Sequence, residues 1–429
     1  MGAPPLPPEL ERHLVGMSER KQEILRRSYD FVMPHRVATW LEVGVPLVIG
    51  RREGYRIWDV DGHELQDFHL NGGTFNFGHR NPELVAELVE AVQTLDVGNH
   101  HFPSEARALL GQRLAELTPG DLHYSLLAPS GSEANDMAIK TARHATGRRK
   151  VVAFDRAYHG RSGLSGAAGD DANASYFHSS SDEFVRVPFS DAGALERALT
   201  ADDVALFMAE TLPATAGFPL PDPGFYADAR RLCDEHGTLF LVDEVQTGLA
   251  RSGRLWAIEH FGVVPDMLTT GKGLGGGLYP IGALVMSRDA ARWLHEDGWG
   301  YVSTFGGSEI GCLVAAKALD IATRPETSRL VEENASYMRA GLDALAEQHP
   351  DLVEIRQLGV IFALRFRDEY GAFEMAAKLY RAGLWAMPAA FDPSVLQFKL
   401  GLLVDQAYCD EALGKLREAL SERATASVT

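Results

Sequence analysis

The chain has 429 residues, 45% of them hydrophobic and 23% charged, which is enough apolar material for a large core and more than one domain. A formal net charge of −18 excludes the clustered Lys and Arg footprint of a nucleic-acid binder. Cys233, Cys312 and Cys409 form no CxxC pair and no metal-ligand spacing, so no metal site and a reduced, cytoplasmic setting are expected.

In chain order, Met1 to Glu11 is proline-rich and lacks the apolar stretch of a signal peptide. It starts Met-Gly, but Leu6 stands where a myristoylation signal needs Ser or Thr. No apolar run reaches the roughly 18 residues of a membrane span. Leu47–Leu70 alternates apolar and polar residues around Asp61-Gly62, which predicts a hairpin. The runs 150–154, 204–209, 238–242 and 266–270 read as buried strands. Helical stretches such as 133–146 and 223–236 alternate with them. This alternation predicts an α/β domain with a mostly parallel sheet. From about Pro325 the chain carries helices and the strand-like 359–366, and the small polar tail from Ser421 is expected to fray. The expected layout is a large central domain, 71–324, with the two chain ends, 1–70 and 325–429, forming a smaller second one.

In open α/β sheets ligands sit beyond the carboxyl ends of the strands, so the residues that follow each strand matter most. Ser130-Gly131-Ser132-Glu133 precedes a helix. It reads as a capping box, as a phosphate site on free N–H groups, or as both at once. Tyr158-His159-Gly160 follows a strand; the ring could stack on a flat heterocycle or simply pack. Asp243 follows another strand, where a carboxylate either holds a cationic ring nitrogen or caps a helix. Lys272 stands between Gly271 and Gly273 after a fourth strand. A lysine amine so exposed by glycines can form a Schiff base, the plainer alternative being a solvated lysine in a loop. Gly271, Gly273 and Gly276 also match G-x-G-x-x-G. That fingerprint must open a helix, whereas 279–286 reads as a strand.

Taken together, Ser130 to Asn135, Tyr158-His159-Gly160, Asp243 to Gly248, Thr270-Gly271-Lys272 and Thr304-Phe305-Gly306-Gly307 resemble the class III aminotransferases. These are pyridoxal-phosphate (PLP) enzymes of fold type I, so the resemblance implies a large domain with a seven-stranded, mostly parallel sheet and a smaller α+β domain. Fainter likeness runs from about Gly54 to the C-terminus. The resemblance implies that Lys272 forms the internal aldimine and shuttles a proton, and that Asp243 pairs with the pyridinium nitrogen. It also implies that Gln246 bonds the ring hydroxyl, that Tyr158 and Val245 sandwich the ring with His159 beside it, and that Gly131 and Ser132 hold the phosphate. The threonine matching Thr304 reaches the neighbouring subunit's phosphate in that family, which implies a homodimer with shared sites. The expected activity is ping-pong transfer of an amino group between an amine or amino acid and a keto acid or aldehyde.

Two departures bear on substrate. Family members that use glutamate carry a C-terminal arginine that clasps the substrate carboxylate, and Gln397 falls at that position, with Lys399 nearby. The family's Glu-Pro-x-x-x-Glu-Gly-Gly keeps its first glutamate as Glu210, a cofactor-site residue, but Thr215 replaces the second. Non-standard substrate recognition is expected. A PLP enzyme of another kind (epimerase, decarboxylase or bond-forming) stands as the alternative, and a non-catalytic protein of this fold as a third.

Overall fold

A computed structural model describes residues 5–98 and 101–426. The Met1-Gly2 start and the last three residues of the polar tail lie outside them.

Seven strands form the central sheet: β1 (Tyr124–Ala128), β2 (Lys150–Phe154), β3 (Phe184–Val187), β4 (Val204–Glu210), β5 (Leu239–Asp243), β6 (Met267–Thr270) and β7 (Gly282–Met286). Their order is β1-β7-β6-β5-β4-β2-β3. All neighbours run parallel except β7, which is antiparallel to both β1 and β6. The expected strands are therefore present, with ends shifted by a residue or so. Every residue of β4 is buried, as a strand covered on both faces requires. One face packs on the helix Gly131–Thr146 through Ala138, Ile139 and Ala142. The other packs Phe207 and Phe240 against Phe225 and Tyr226 of the helix Phe225–His236.

The predicted hairpin forms between Arg56–Asp59 and Glu64–Asp67. Ile49–Glu53 pairs on one side of it, and Leu384–Trp385 on the other, in parallel with Glu64–Asp67. That last pairing joins the two chain ends in one sheet. A second small sheet, wholly antiparallel, holds Leu352–Leu358, Ile361–Phe366, Asp392–Lys399 and Met387–Ala389. Leu352–Leu358 was not expected as a strand. Its residues after Leu352 are only half-buried, so it lacks a continuous apolar run. Helices Glu19–Phe31 and Pro34–Val43, also unread, build a small core with Leu10, Leu14, Leu25, Val37 and Leu41.

The tail does not fray at Ser421. The last helix, Gln406–Ala426, continues because Arg423 is buried and anchored there. Arg423 donates to the Gly371 carbonyl at 3.2 Å and pairs with Glu374 at 3.2 Å.

Candidate active site

Register brings the chemistry together. Glu210, Asp243 and Thr269 are successive cross-strand partners on β4, β5 and β6, at or next to the carboxyl ends of parallel strands. The helix Gly131–Thr146 points its N-terminus at the same edge. Ser130 caps it by accepting the Glu133 N–H at 3.2 Å. The capping box is only half formed, because the Glu133 carboxylate accepts the Tyr301 hydroxyl at 2.7 Å. Glycines let these ends approach closely. A Cβ on Gly282 would lie 3.0 Å from the Gly131 nitrogen, and one on Gly131 would lie 2.7 Å from Val245 Cγ2. The helix thus starts against the strand ends with N–H groups available to an anion.

Lys272, Asp243, Glu210, Val245, Gln246, Tyr158, His159, Gly131 and Ser132 all line one cavity of about 180 Å³. Lys272 has φ of 45°, a left-handed backbone that a lysine rarely adopts and that often marks functional positions. Burial lowers the pKa of its amine from the ordinary lysine value. Asp243 and Glu210 oppose that shift, and the Arg251 cation adds to it.

Asp243 is 5% exposed and accepts three hydrogen bonds. Its Oδ2 accepts from Asn135 Nδ2 and His159 Nδ1, both at 2.8 Å, and its Oδ1 accepts the Val245 N–H at 3.1 Å. The plain helix-cap alternative for Asp243 does not apply, since it is the last residue of β5 and its donors come from three segments. His159 is expected beside the ring; its hydrogen bond in the structure is to Asp243, with its Nε2 buried and without a partner among the described residues. Glu210 Oε1 accepts the Tyr158 N–H at 2.8 Å. The Tyr158 ring carries the Arg161 guanidinium 5.0 Å from its centroid. Arg161 is tied in turn to Asp170 at 2.6 Å.

Ser132 Oγ lies 2.6 Å from Ser162 Oγ and 2.9 Å from Ser165 Oγ. Asp136 accepts from Ser162 Oγ at 3.0 Å and from the Ser165 N–H at 2.6 Å. Sequence reading gave no role to Asn135, Asp136 or Ser162. Asn135 and Asp136 sit two and three residues beyond the S-x-x-E motif, and that adjacency is the only signal that could have found them. Glu244 was missed as well. It is buried and accepts from Thr211 and Thr247 hydroxyls and from the Ala257 and Ile258 N–H groups, which ties the β5 end to the loop after it.

Thr304 is not brought to the Lys272 cavity of its own chain. It is exposed and lines a separate cavity of about 710 Å³ with Phe102, Arg107 and Trp299. Thr215 donates to the Arg156 carbonyl at 3.4 Å, and Gln397 lies buried beside Lys399. Among the described residues no group of His, Cys, Asp and Glu is arranged to hold a metal, and no helix is long and apolar enough to cross a membrane.

The family Aminotransferase class-III matches residues 40–420. An uncharacterized aminotransferase from Archaeoglobus fulgidus is 43% identical over 400 residues, covering 93% of this chain and 94% of its own. The ornithine aminotransferase from Toxoplasma gondii, solved with partial PLP occupancy at its active site, superposes with a TM-score of 0.85 at 26% identity, covering 96% of each chain. The acetylornithine aminotransferase from Elizabethkingia anophelis gives a TM-score of 0.76 at 27% identity, covering 88% of this chain and 94% of that one. The cofactor these comparisons indicate is PLP, and the residues present suit it. The cavity offers an amine of lowered pKa, a buried carboxylate whose donors hold it in place, and a glycine-lined helix N-terminus with a serine hydroxyl.

Proposed function

The chain belongs to the class III aminotransferases, and from that premise we propose that it moves an amino group between an amine or amino acid and a keto acid or aldehyde in two half-reactions at Lys272. The observation that carries this reading is the shared cavity of Lys272 and a buried, doubly donated Asp243. PLP, when bound, supplies a ring that takes up the electron pair left by a proton departing from substrate carbon. Asp243, held in place by Asn135 and His159, would pair with the protonated ring nitrogen. A carboxylate in that place favours the charged form of the ring. Lys272, whose amine burial moves down from the ordinary lysine value, takes up the departing proton and returns it.

Gly131 and Ser132 hold the phosphate at the helix N-terminus, where N–H groups and the helix dipole favour an anion. Tyr158 and Val245, which line the cavity, would hold the two ring faces, and Gln246 would bond the ring hydroxyl. Glu210 braces the Tyr158 backbone. We further propose a homodimer that shares its active sites. Thr304 stands exposed among Phe102, Trp299, Val302 and Phe305, which are 77%, 66%, 58% and 55% exposed. An apolar surface of this kind marks an interface. The compartment we assign is the cytoplasm, on the three buried free thiols. Gln397 and Thr215 argue that the substrates differ from the ornithine and acetylornithine of the solved relatives.

Purified holoenzyme should convert to pyridoxamine phosphate with a suitable amine and revert with a keto acid. Absorbance follows both halves and mass spectrometry identifies the products. Deuterium entering the substrate carbon without any such conversion would replace this reading with a non-transaminating one.

A further inference from the structure

Lys399 ends the strand Asp392–Lys399 and is completely buried. Its Nζ donates to Gln397 Oε1 at 2.6 Å and lies 3.4 Å from His69 Nδ1, with the Phe218 ring centroid at 5.7 Å. Among the described residues it forms no ion pair with a carboxylate. Asp67, the nearest acidic influence on it, is committed to His79 Nε2 at 2.9 Å and to the N–H groups of His69 and Leu70.

A short turn connects Lys399 to the Lys272 cavity. The Lys399 N–H donates to the Phe68 carbonyl at 2.8 Å, and the His69 carbonyl accepts the Gly72 N–H at 3.0 Å. From Leu70 to Gly73 four successive residues have φ between 45° and 107°. This bends the backbone so that a Cβ on Gly72 would lie 3.1 Å from Lys272 Cε, and one on Gly73 would lie 2.5 Å from Arg251 Nη2. Arg251 is itself fully buried. Among the described residues its guanidinium hydrogen-bonds only to Asn76 Oδ1, and its Nη1 has no partner. Lys272, Arg251 and Lys399 thus surround one turn, and among the described residues neither Arg251 nor Lys399 forms an ion pair with a carboxylate.

Buried ammonium groups need an anion, or they shed the proton. Burial, followed by the Arg251 and Lys272 cations, holds Lys399 well below the ordinary lysine value, with Asp67 opposing. Burial and the same cations, together with Lys399, hold His69 down as well. For accepting both charged and uncharged substrate ends the resemblance implies a device made of an arginine clasp and the glutamate that neutralises it, where this chain has Gln397 and Thr215. We propose that Lys399 replaces that device by changing its own charge. It is neutral, donating to Gln397, beside a substrate end without a carboxylate. It is protonated against the carboxylate of an amino-acid or keto-acid partner, taking one proton from solvent for each carboxylate bound. This rests on the aminotransferase reading of the Lys272 cavity.

The test is calorimetric titration of holoenzyme with butyrate, which has a carboxylate and neither amine nor keto group. Run at about pH 8 in two buffers of different ionisation enthalpy, it counts protons. Wild type should take up about one proton per butyrate. Lys399→Arg should bind without uptake, because its guanidinium is charged throughout. Lys399→Met should lose uptake and bind at least about tenfold more weakly. Binding without uptake in wild type, no binding in wild type, or a Lys399→Met protein with the wild-type affinity and proton count would each overturn the proposal. If Lys399→Met does not fold, wild type and Lys399→Arg still decide. Conversion to pyridoxamine phosphate by amines, measured alongside, separates the two readings. Conversion without proton uptake sinks this inference alone, and uptake without conversion sinks the aminotransferase reading.

Discussion

Glu210 should make stability depend on pH in a direction opposite to that of a surface carboxylate. It is 4% exposed at the end of β4, beside Asp243 across the sheet. Burial is the chief cause of its shift; His159 opposes it, Asp243 adds to it, and the Tyr158 and Ala214 N–H groups oppose it again. The result is a carboxyl pushed up from 4.5 to about 7. In the unfolded chain it returns to the ordinary value. Between those two values the folded protein keeps a proton that the unfolded chain has lost, so stability falls as pH rises through the window and levels off above about pH 7. A gap of this size is worth about 3 kcal/mol, and the group is buried enough that solvent screening does not discount it. Glu210→Gln cannot ionise. Its amide faces the Ala214 N–H and adds a constant penalty of about 1–3 kcal/mol, independent of pH. Equilibrium denaturant unfolding of the cofactor-free protein, from about pH 4.5 to about pH 8, should therefore show wild type losing about 3 kcal/mol relative to the variant. A protonated-carboxyl infrared band should be present at about pH 6 in wild type and missing in the variant. A wild-type-minus-variant difference that stays flat across the range would refute the reasoning.

Gly160 has φ of 123°, and a Cβ there would lie 2.1 Å from Ser132 Oγ and 2.9 Å from its Cα. Gly160→Ala should displace Ser132 and weaken PLP binding at least about tenfold in an absorbance titration, with folding retained by circular dichroism. Asn135→Ala removes the donor shared by Asp243 Oδ2 and the His159 carbonyl. The loss of one charge-assisted bond costs about 1.5–3 kcal/mol, so both the thermal midpoint and the rate of the half-reaction should drop. A variant matching wild type in both would show that Asp243 does not depend on Asn135. The double variant Trp299→Glu, Phe305→Glu should sediment as a monomer if the exposed apolar surface around Thr304 is the dimer interface. An unchanged sedimentation coefficient places that interface elsewhere.

What could be read from the sequence depended on whether a position was decided locally. β4 and β5 are continuous apolar runs because both their faces are covered, and such runs are visible without knowing the neighbours. β7 was visible as a strand, but its antiparallel direction is set by its two partners and leaves no mark on its residues. Leu352–Leu358 was invisible for the opposite reason, since half-buried Glu354, Arg356 and Gln357 carry no run and only little alternation. The site divides in the same way. Lys272, flanked by glycines after a strand, advertised itself, and so did the cap at Ser130. The ring of donors around Asp243 did not, because Asn135 and His159 lie 108 and 84 residues from it and meet it only through sheet order.

Lys399 marks where local reading fails most instructively. By sequence it is a lysine two places from a missing arginine, and lysines are rarely buried. Its environment is made by Phe218, by Arg251 and by a turn whose left-handed φ values begin at Leu70 and Asn71, neither of them glycine. Nothing at residue 399 itself distinguishes a solvated ammonium from a buried amine. The two readings differ in sign for substrate recognition, since a solvated lysine would be a permanent weak clamp and a buried one is a group whose charge the substrate sets.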